Sequence, residues 1–275
     1  MAAESQMLRV LLLGFGEAGQ AFAKGWRQTG AGIEISTYDV KFDAPGGAPE
    51  LLSIASKLGV RPVSHGPRAF SAVDHVFSLV TADRALEAAR SAARFLSKPH
   101  VFWDLNSVAP STKRAAAAAI ATSGADYLDV GVLAPVFPGL HRTRLALAGP
   151  MAASLGGAIG SLDLNAEVFS ETIGDAATLK LLRSIVIKGI EASVAECMLA
   201  CCIADMKEDV LNSLAPSFPG IDWLERAEYI AERIGKHGRR RAEEMREAAK
   251  MLEEFGIDPV VSRAAAARLR QGSRS

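Results

Sequence analysis

Cysteine is scarce in this chain. Cys197, Cys201 and Cys202 are the whole supply, and they sit close together. An odd, bunched set makes no disulfide framework, and no histidine lies near enough in sequence to complete the spacing of a zinc site. They read as small buried thiols in a reducing, cytoplasmic setting. Excess charge of either sign is also missing: 31 Lys+Arg balance 31 Asp+Glu, which argues against a general nucleic-acid surface. The arginine run Arg239-Arg240-Arg241 is followed by Glu243, Glu244 and Glu247, the pattern of a solvated helix face. Apolar runs are too short or too interrupted to span a bilayer. The opening MAAESQ has neither the basic region nor the apolar core of a signal peptide. The histidines (His65, His75, His100, His141 and His237) are scattered with no two at ligand spacing, so no metal site is expected.

What is present is a large apolar fraction. Hydrophobic residues make up 49% of the 275 and charged residues 23%, enough for one large domain or two ordinary ones. The stretch from Met7 to Trp26 organises the rest. An apolar run, Val10 to Leu13, leads into Gly14-Phe15-Gly16-Glu17-Ala18-Gly19, and helical spacing follows at Ala18, Phe22 and Trp26. Strand, glycine turn and helix in that order are the setting in which GxGxxG cradles a dinucleotide pyrophosphate at a helix N-terminus. A second alternating run, Ile33 to Tyr38, ends in Asp39, about 20 residues past Gly19, where a carboxylate would accept the ribose hydroxyls. The competing reading is a glycine-rich turn with no ligand, with Asp39 capping a loop.

Strand and helix signals then alternate through residues 60–63, 73–80, 100–105, 126–132, 144–148 and 166–170. This predicts a parallel sheet covered by helices, an α/β Rossmann-type doubly wound domain over residues 1–173. Ligands meet such sheets beyond the carboxyl ends of the strands, which draws attention to Gly14, Asp39, Val80 and Thr81, Asn106 and Ser107, and the loop 131–135. After Gly174 no further strand is convincing. A long helix is expected over about 175–206, a broken stretch to Trp223, and helices over 224–255 and 258–270, an all-helical domain over 174–275. At ~100° per residue, Ser184, Lys188 and Glu191 fall about 40°, about 80° and about 20° from Lys180, one narrow polar stripe on an apolar helix. Such a stripe is expected to face water or a cleft, with the apolar girth buried between layers or subunits.

These segments together resemble the β-hydroxyacid dehydrogenases, the superfamily of 3-hydroxyisobutyrate and 6-phosphogluconate dehydrogenases. The resemblance rests on GFGEAG at 14–19, DLNSVAP at 104–110, LDVGVLAP at 128–135, and Gly174 followed by Lys180, in that order. It implies a Rossmann domain joined by a long helix to a helical domain, a homodimer, and hydride exchange between a nicotinamide cofactor and a small hydroxy acid. Lys180 matches the general acid/base, and Ser184 stands where the family has asparagine. Asn106-Ser107 replaces a serine–threonine pair. Leu133-Ala134-Pro135 replaces the Ser-Gly-Gly loop that offers backbone N–H groups to an acidic substrate; proline has no N–H. A less acidic or more apolar carbonyl or hydroxy compound is therefore expected, with Arg142, Arg183 and Lys188 as candidate carboxylate anchors. Asp39 would repel a 2′-phosphate, which favours NAD over NADP. Two alternatives remain beside the dehydrogenase. One is a non-catalytic NAD(P)-binding sensor or scaffold; the other, within enzymes, is an imine reductase.

Overall fold

The computed structural model describes residues 7–30 and 32–272. The opening hexapeptide considered for a signal peptide lies outside them. The first part of the chain folds as β1 (Leu8–Leu13), α1 (Glu17–Thr29), β2 (Ile33–Tyr38), α2 (Pro49–Lys57), β3 (Arg61–Pro62), α3 (Pro67–Phe70), β4 (His75–Ser78), α4 (Ala85–Ala93), β5 (Val101–Asp104), α5 (Pro110–Ala121), β6 (Asp126–Val132), β7 (Leu145–Ala148), α6 (Gly156–Ser161) and β8 (Ala166–Ser170). A long helix, α7 (Asp175–Ala204), follows, then α8 (Lys207–Leu214), α9 (Trp223–Glu254) and α10 (Val260–Gln271). α7 stops slightly short of the expected residue 206 because Asp205 turns the chain through a left-handed conformation, φ 55°.

The strands form one eight-stranded sheet in the order β3-β2-β1-β4-β5-β6-β7-β8. The order reverses between β1 and β4, the place where doubly wound sheets receive ligands. From β3 to β6 all neighbours are parallel. β7 corrects the expectation of a wholly parallel sheet: it runs antiparallel to β6, with Val132 opposite Leu145. The reason is the connection, which holds only a short 3-10 turn at Leu140–Arg142 and no crossover helix. From Val10 to Leu13, β1 is an unbroken apolar run because both sheet faces are covered. Val10 and Leu12 pack with Phe22, Trp26 and Phe77, while Leu11 and Leu13 pack with Phe70, Phe102 and Ile120. The buried Trp26 indole N–H donates to the Leu162 carbonyl at 2.7 Å, so its polar tip costs no unmet hydrogen bond.

The chain divides into two compact units, one ending at Lys180 and one beginning at Leu181. In the second, Ile230, Ile234 and Met245 of α9 pack with Ala265, Ala266 and Leu269 of α10 and with Ala192. Asp222 starts α9 by accepting a hydrogen bond from the Glu225 N–H at 2.9 Å. Three expectations about this unit change. The α7 stripe is inverted: Ser184, Lys188 and Glu191 are buried, while Leu182, Val186 and Ile190 are 44%, 62% and 46% exposed. Complementary charges on α9 explain it, since Lys188 meets Glu244 and Glu191 meets Arg241. Arg241 therefore leaves the solvated face assigned to its run and is buried. Of the cysteines only Cys201 is buried, and Cys202, one step round the helix, is exposed. Among the described residues no helix is long and apolar enough to cross a membrane.

Candidate active site

The glycine turn is shaped by close backbone contacts. Gly14 has φ +94°, and a Cβ there would lie 2.6 Å from the Leu79 carbonyl oxygen, so only glycine lets β1 turn past the end of β4. At Gly19 a Cβ would lie 2.4 Å from the Gly14 carbonyl oxygen, which is how α1 docks on the turn. At Gly16 a Cβ would meet nothing within 4 Å. α1 begins at Glu17 with no side-chain cap from Gly16. Open ground therefore faces the positive, N–H-bearing end of a helix, the arrangement that takes a phosphate. Phe15 is fully buried beneath the turn, and Ala18 packs against the same apolar cluster.

Asp39 is tied to that turn. Its Oδ2 accepts from the Phe15 N–H at 2.9 Å and its Oδ1 from the Lys41 N–H at 3.0 Å. Each carboxylate oxygen can accept a further bond, so ribose hydroxyls remain within its capacity. Nearby, burial and then Asp43 push the Tyr38 hydroxyl up to about 12. Past β4, Val80 is half-buried and Thr81 exposed. Past β5, the Asn106 backbone N–H donates to Asp104 Oδ1 at 2.9 Å. Its side-chain Nδ2 donates to Asp104 Oδ1 at 2.7 Å and to Ser78 Oγ at 2.9 Å. Those two acceptors fix which way the amide points, and they leave the buried Asn106 Oδ1 without a donor. An orphaned acceptor beside the glycine turn's sheet edge, an uncapped helix and open space at Gly16 all fit a dinucleotide.

Lys180 lies in the same unit, near the start of α7, and is buried. Its Nζ donates to Ser107 Oγ. The start of α7 is pinned by Asp129 on β6, whose Oδ2 accepts from Gly174 N–H at 3.0 Å and Ala177 N–H at 3.2 Å. Between Asp129 and Asp104 stands the ammonium of Lys113, 3.2 Å from Asp129 Oδ1 and 3.1 Å from Asp104 Oδ1, with all three side chains fully buried. Tyr127 donates to Asp104 Oδ2 at 2.7 Å. Burial raises the Asp129 carboxyl above its ordinary range, against the lowering effect of Lys113. Burial, followed by Asp104 and Asp129, raises the Tyr127 hydroxyl well above its own. Sequence reasoning missed Lys113, Tyr127 and Asp129; a lone lysine in the alanine-rich α5, facing strand-end acids, is the signal that was there to be used.

The loop after β6 is closed in part. Leu133 packs with Ala146, Ala148 and Ala176, and its N–H donates to the Arg144 carbonyl at 2.9 Å. The Ala134 and Pro135 carbonyls accept from Thr143 Oγ1 at 3.3 and 3.1 Å. Arg142, expected as a carboxylate anchor, is instead committed to Asp163 at 2.5 Å, which also takes His141. In the second unit Ser184 donates to Glu244 Oε1 at 2.5 Å. Lys188 donates to the same oxygen at 2.9 Å and to Ser184 Oγ at 3.3 Å. Burial lowers the Lys188 amine although Glu244 opposes it. Arg183 is exposed.

Residues 9–179 match the model of the NAD binding domain of 6-phosphogluconate dehydrogenase. The chain belongs to that family. Residues 204–272 match a domain of unknown function, DUF1932. Among solved structures, this NAD-binding family member is 37% identical to a conserved hypothetical protein from Sinorhizobium meliloti 1021, over 98% of this chain and 90% of that one, with a TM-score of 0.76. It is 31% identical to a conserved protein of unknown function described as structurally similar to 3-hydroxyacid dehydrogenases, over 97% of both chains, with a TM-score of 0.70. It shares the fold of the 3-hydroxyisobutyrate dehydrogenase of Mycobacterium tuberculosis at 15% identity, over 98% of this chain and 94% of that one, with a TM-score of 0.77. The sheet and helices described above are thus an NAD(P)-binding, hydroxyacid-dehydrogenase-like fold.

Proposed function

We propose that the protein is an NAD(P)-dependent oxidoreductase that exchanges hydride with a small hydroxy acid or a related carbonyl compound, with Lys180 as general acid/base. The observation that carries this is the Lys180 amine held on Ser107 Oγ, just past the carboxyl end of β5, in the unit that bears the glycine turn. Gly14 to Gly19 and the N-terminus of α1 would hold the pyrophosphate, Asp39 the adenosine ribose, and Val80, Thr81 and the orphaned Asn106 Oδ1 the remainder of the cofactor. When bound, the nicotinamide accepts or supplies the hydride. Lys180 handles the proton: in oxidation its neutral amine takes the proton leaving the substrate hydroxyl, and in reduction its ammonium returns one to the carbonyl oxygen. Ser107 accepts from Lys180 and keeps its own O–H for that same oxygen.

The Leu133–Pro135 loop has few N–H groups to offer an acid, so the substrate we propose is less acidic than the phosphorylated acids of the wider family. The reading is tested by following absorbance at 340 nm against a panel of hydroxy acids, ketones and imines. Turnover of at least one hydroxy acid or its ketone is expected. Tight cofactor binding with silence across the panel would support a binding module instead.

NAD is the proposed cofactor. NADH is expected to bind at least ~10-fold more tightly than NADPH, because the 2′-phosphate would lie against the Asp39 carboxylate; ten-fold is about 1.4 kcal/mol, well within a like-charge contact near a protein surface. Asp39→Ser should narrow or reverse the ratio, read from nicotinamide fluorescence titrations. Homodimerisation is proposed through the exposed ridge Leu182, Val186 and Ile190, whose regular spacing on α7 is self-complementary across a two-fold axis. Light scattering should then show Val186→Glu as a monomer and the parent as a dimer.

A further inference from the structure

Lys113 carries a charge with no exposed surface. It stands on α5, and its ammonium sits 2.5 Å from the Asp104 carbonyl oxygen as well as beside the Asp104 and Asp129 carboxylates. The two acids hold different things. Asp104 Oδ1 takes the backbone N–H and one side-chain N–H of Asn106, and so sets the loop whose next residue is Ser107. Asp129 Oδ2 takes the N–H groups of Gly174 and Ala177, and so sets the first turn of α7, just ahead of Lys180. α7 rests directly on the strand here: a Cβ at Gly131 would lie 2.6 Å from the Ala176 carbonyl oxygen.

We infer that Lys113 is a positioning residue that holds Asp104 and Asp129 side by side and thereby sets the Ser107 hydroxyl against the Lys180 amine. Without the ammonium the two side chains lose the bridge that joins them, and as carboxylates they also repel; each can relax only by moving what it holds: the 106–107 loop or the start of α7. Both movements separate Ser107 from Lys180. A displacement on the order of 1 Å at a reacting group can cost ~10²-fold in rate. The consequence for turnover rests on the proposed role of Lys180; the alignment itself does not.

The test uses the full-length protein and two variants, Lys113→Met and the all-neutral Asp104→Asn/Lys113→Met/Asp129→Asn. Trace labelling with acetic anhydride, quantified lysine by lysine by mass spectrometry, reads the environment of the Lys180 amine with no substrate present. In the variants Lys180 labelling should change at least ~5-fold relative to the parent, while exposed lysines such as Lys236 stay within ~2-fold. NADH affinity should fall by less than ~10-fold, because Asn106 moves while the glycine turn and Asp39 are held by other residues, and kcat should fall ~10²-fold. A purely structural lysine would leave the labelling of Lys180 unmoved in whichever variant folds, and that result overturns the inference. So does failure of the all-neutral variant to fold, which would make the cluster a requirement of the fold and not of the alignment. If the parent turns over no substrate yet the Lys180 labelling shifts as stated, the positioning role stands and the dehydrogenase reading falls.

Discussion

Lys180→Met is expected to lower turnover at least ~10²-fold while keeping the fold and holding NADH affinity within ~3-fold of the parent. The separation of effects follows from where the groups sit. The residues proposed to grip the cofactor are the glycine turn and Asp39, and Asp39 is braced by the N–H groups of Phe15 and Lys41, not by Lys180. The lysine amine donates to Ser107, whose own O–H is the proposed second contact to the substrate oxygen. Methionine keeps an unbranched stem of similar length, so the apolar neighbours of this buried side chain keep their packing, and what disappears is the proton donor and acceptor. Single-turnover hydride transfer followed at 340 nm isolates the chemical step. Ser107→Ala should slow the same step, and the double variant should cost less than the product of the two singles, since the two groups act as one unit. A Lys180→Met enzyme with the parent's kcat would remove the lysine from the mechanism.

Lys113→Met should be the most destabilising single substitution in the first unit. It strands Asp104 and Asp129, both fully buried, without their shared cation. Removing one partner of a buried ion pair costs about 3–5 kcal/mol, because the remaining charge has no water to return to. At ~2–4 °C per kcal/mol for chains of this class, Tm should fall by roughly 6–20 °C. The all-neutral triple variant should recover most of that, since replacing a whole buried ionic cluster by neutral groups of similar shape is often close to neutral. Thermal unfolding of the three proteins side by side measures both. An exposed lysine makes the control: Lys236, paired with Glu232 on the surface of α9, should give no measurable change when replaced by methionine.

The strand, glycine turn and first helix were legible because each depends on neighbours within a few residues: an apolar run, a Cβ-free turn, a 3.6-residue period. β2, β6 and β8 begin and end where the alternation placed them. β7 was legible as a strand but not in its direction, because direction depends on how the connection from β6 returns. The inverted polarity of α7 was not legible either. Periodicity identified Ser184, Lys188 and Glu191 as one stripe, yet whether a stripe is wet or buried depends on what lies opposite. Here the partners are Glu244 and Arg241 on α9, with Ser184 and Glu244 separated by 60 positions in the chain.

By itself, then, the order of residues determined the alternation of strands and helices, the tight glycine turn of residues 14–19, the acid at the end of β2, and the place of Lys180 in the first turns of a long helix. These are properties of local backbone preference and spacing. Tertiary structure alone decided that Lys113 stands between Asp104 and Asp129, that Arg142 is captured by Asp163, and that Lys180 reaches Ser107. A charge taken out of water must find its counter-charge or its hydrogen bond in three dimensions, and chain distance sets no limit on where that partner comes from.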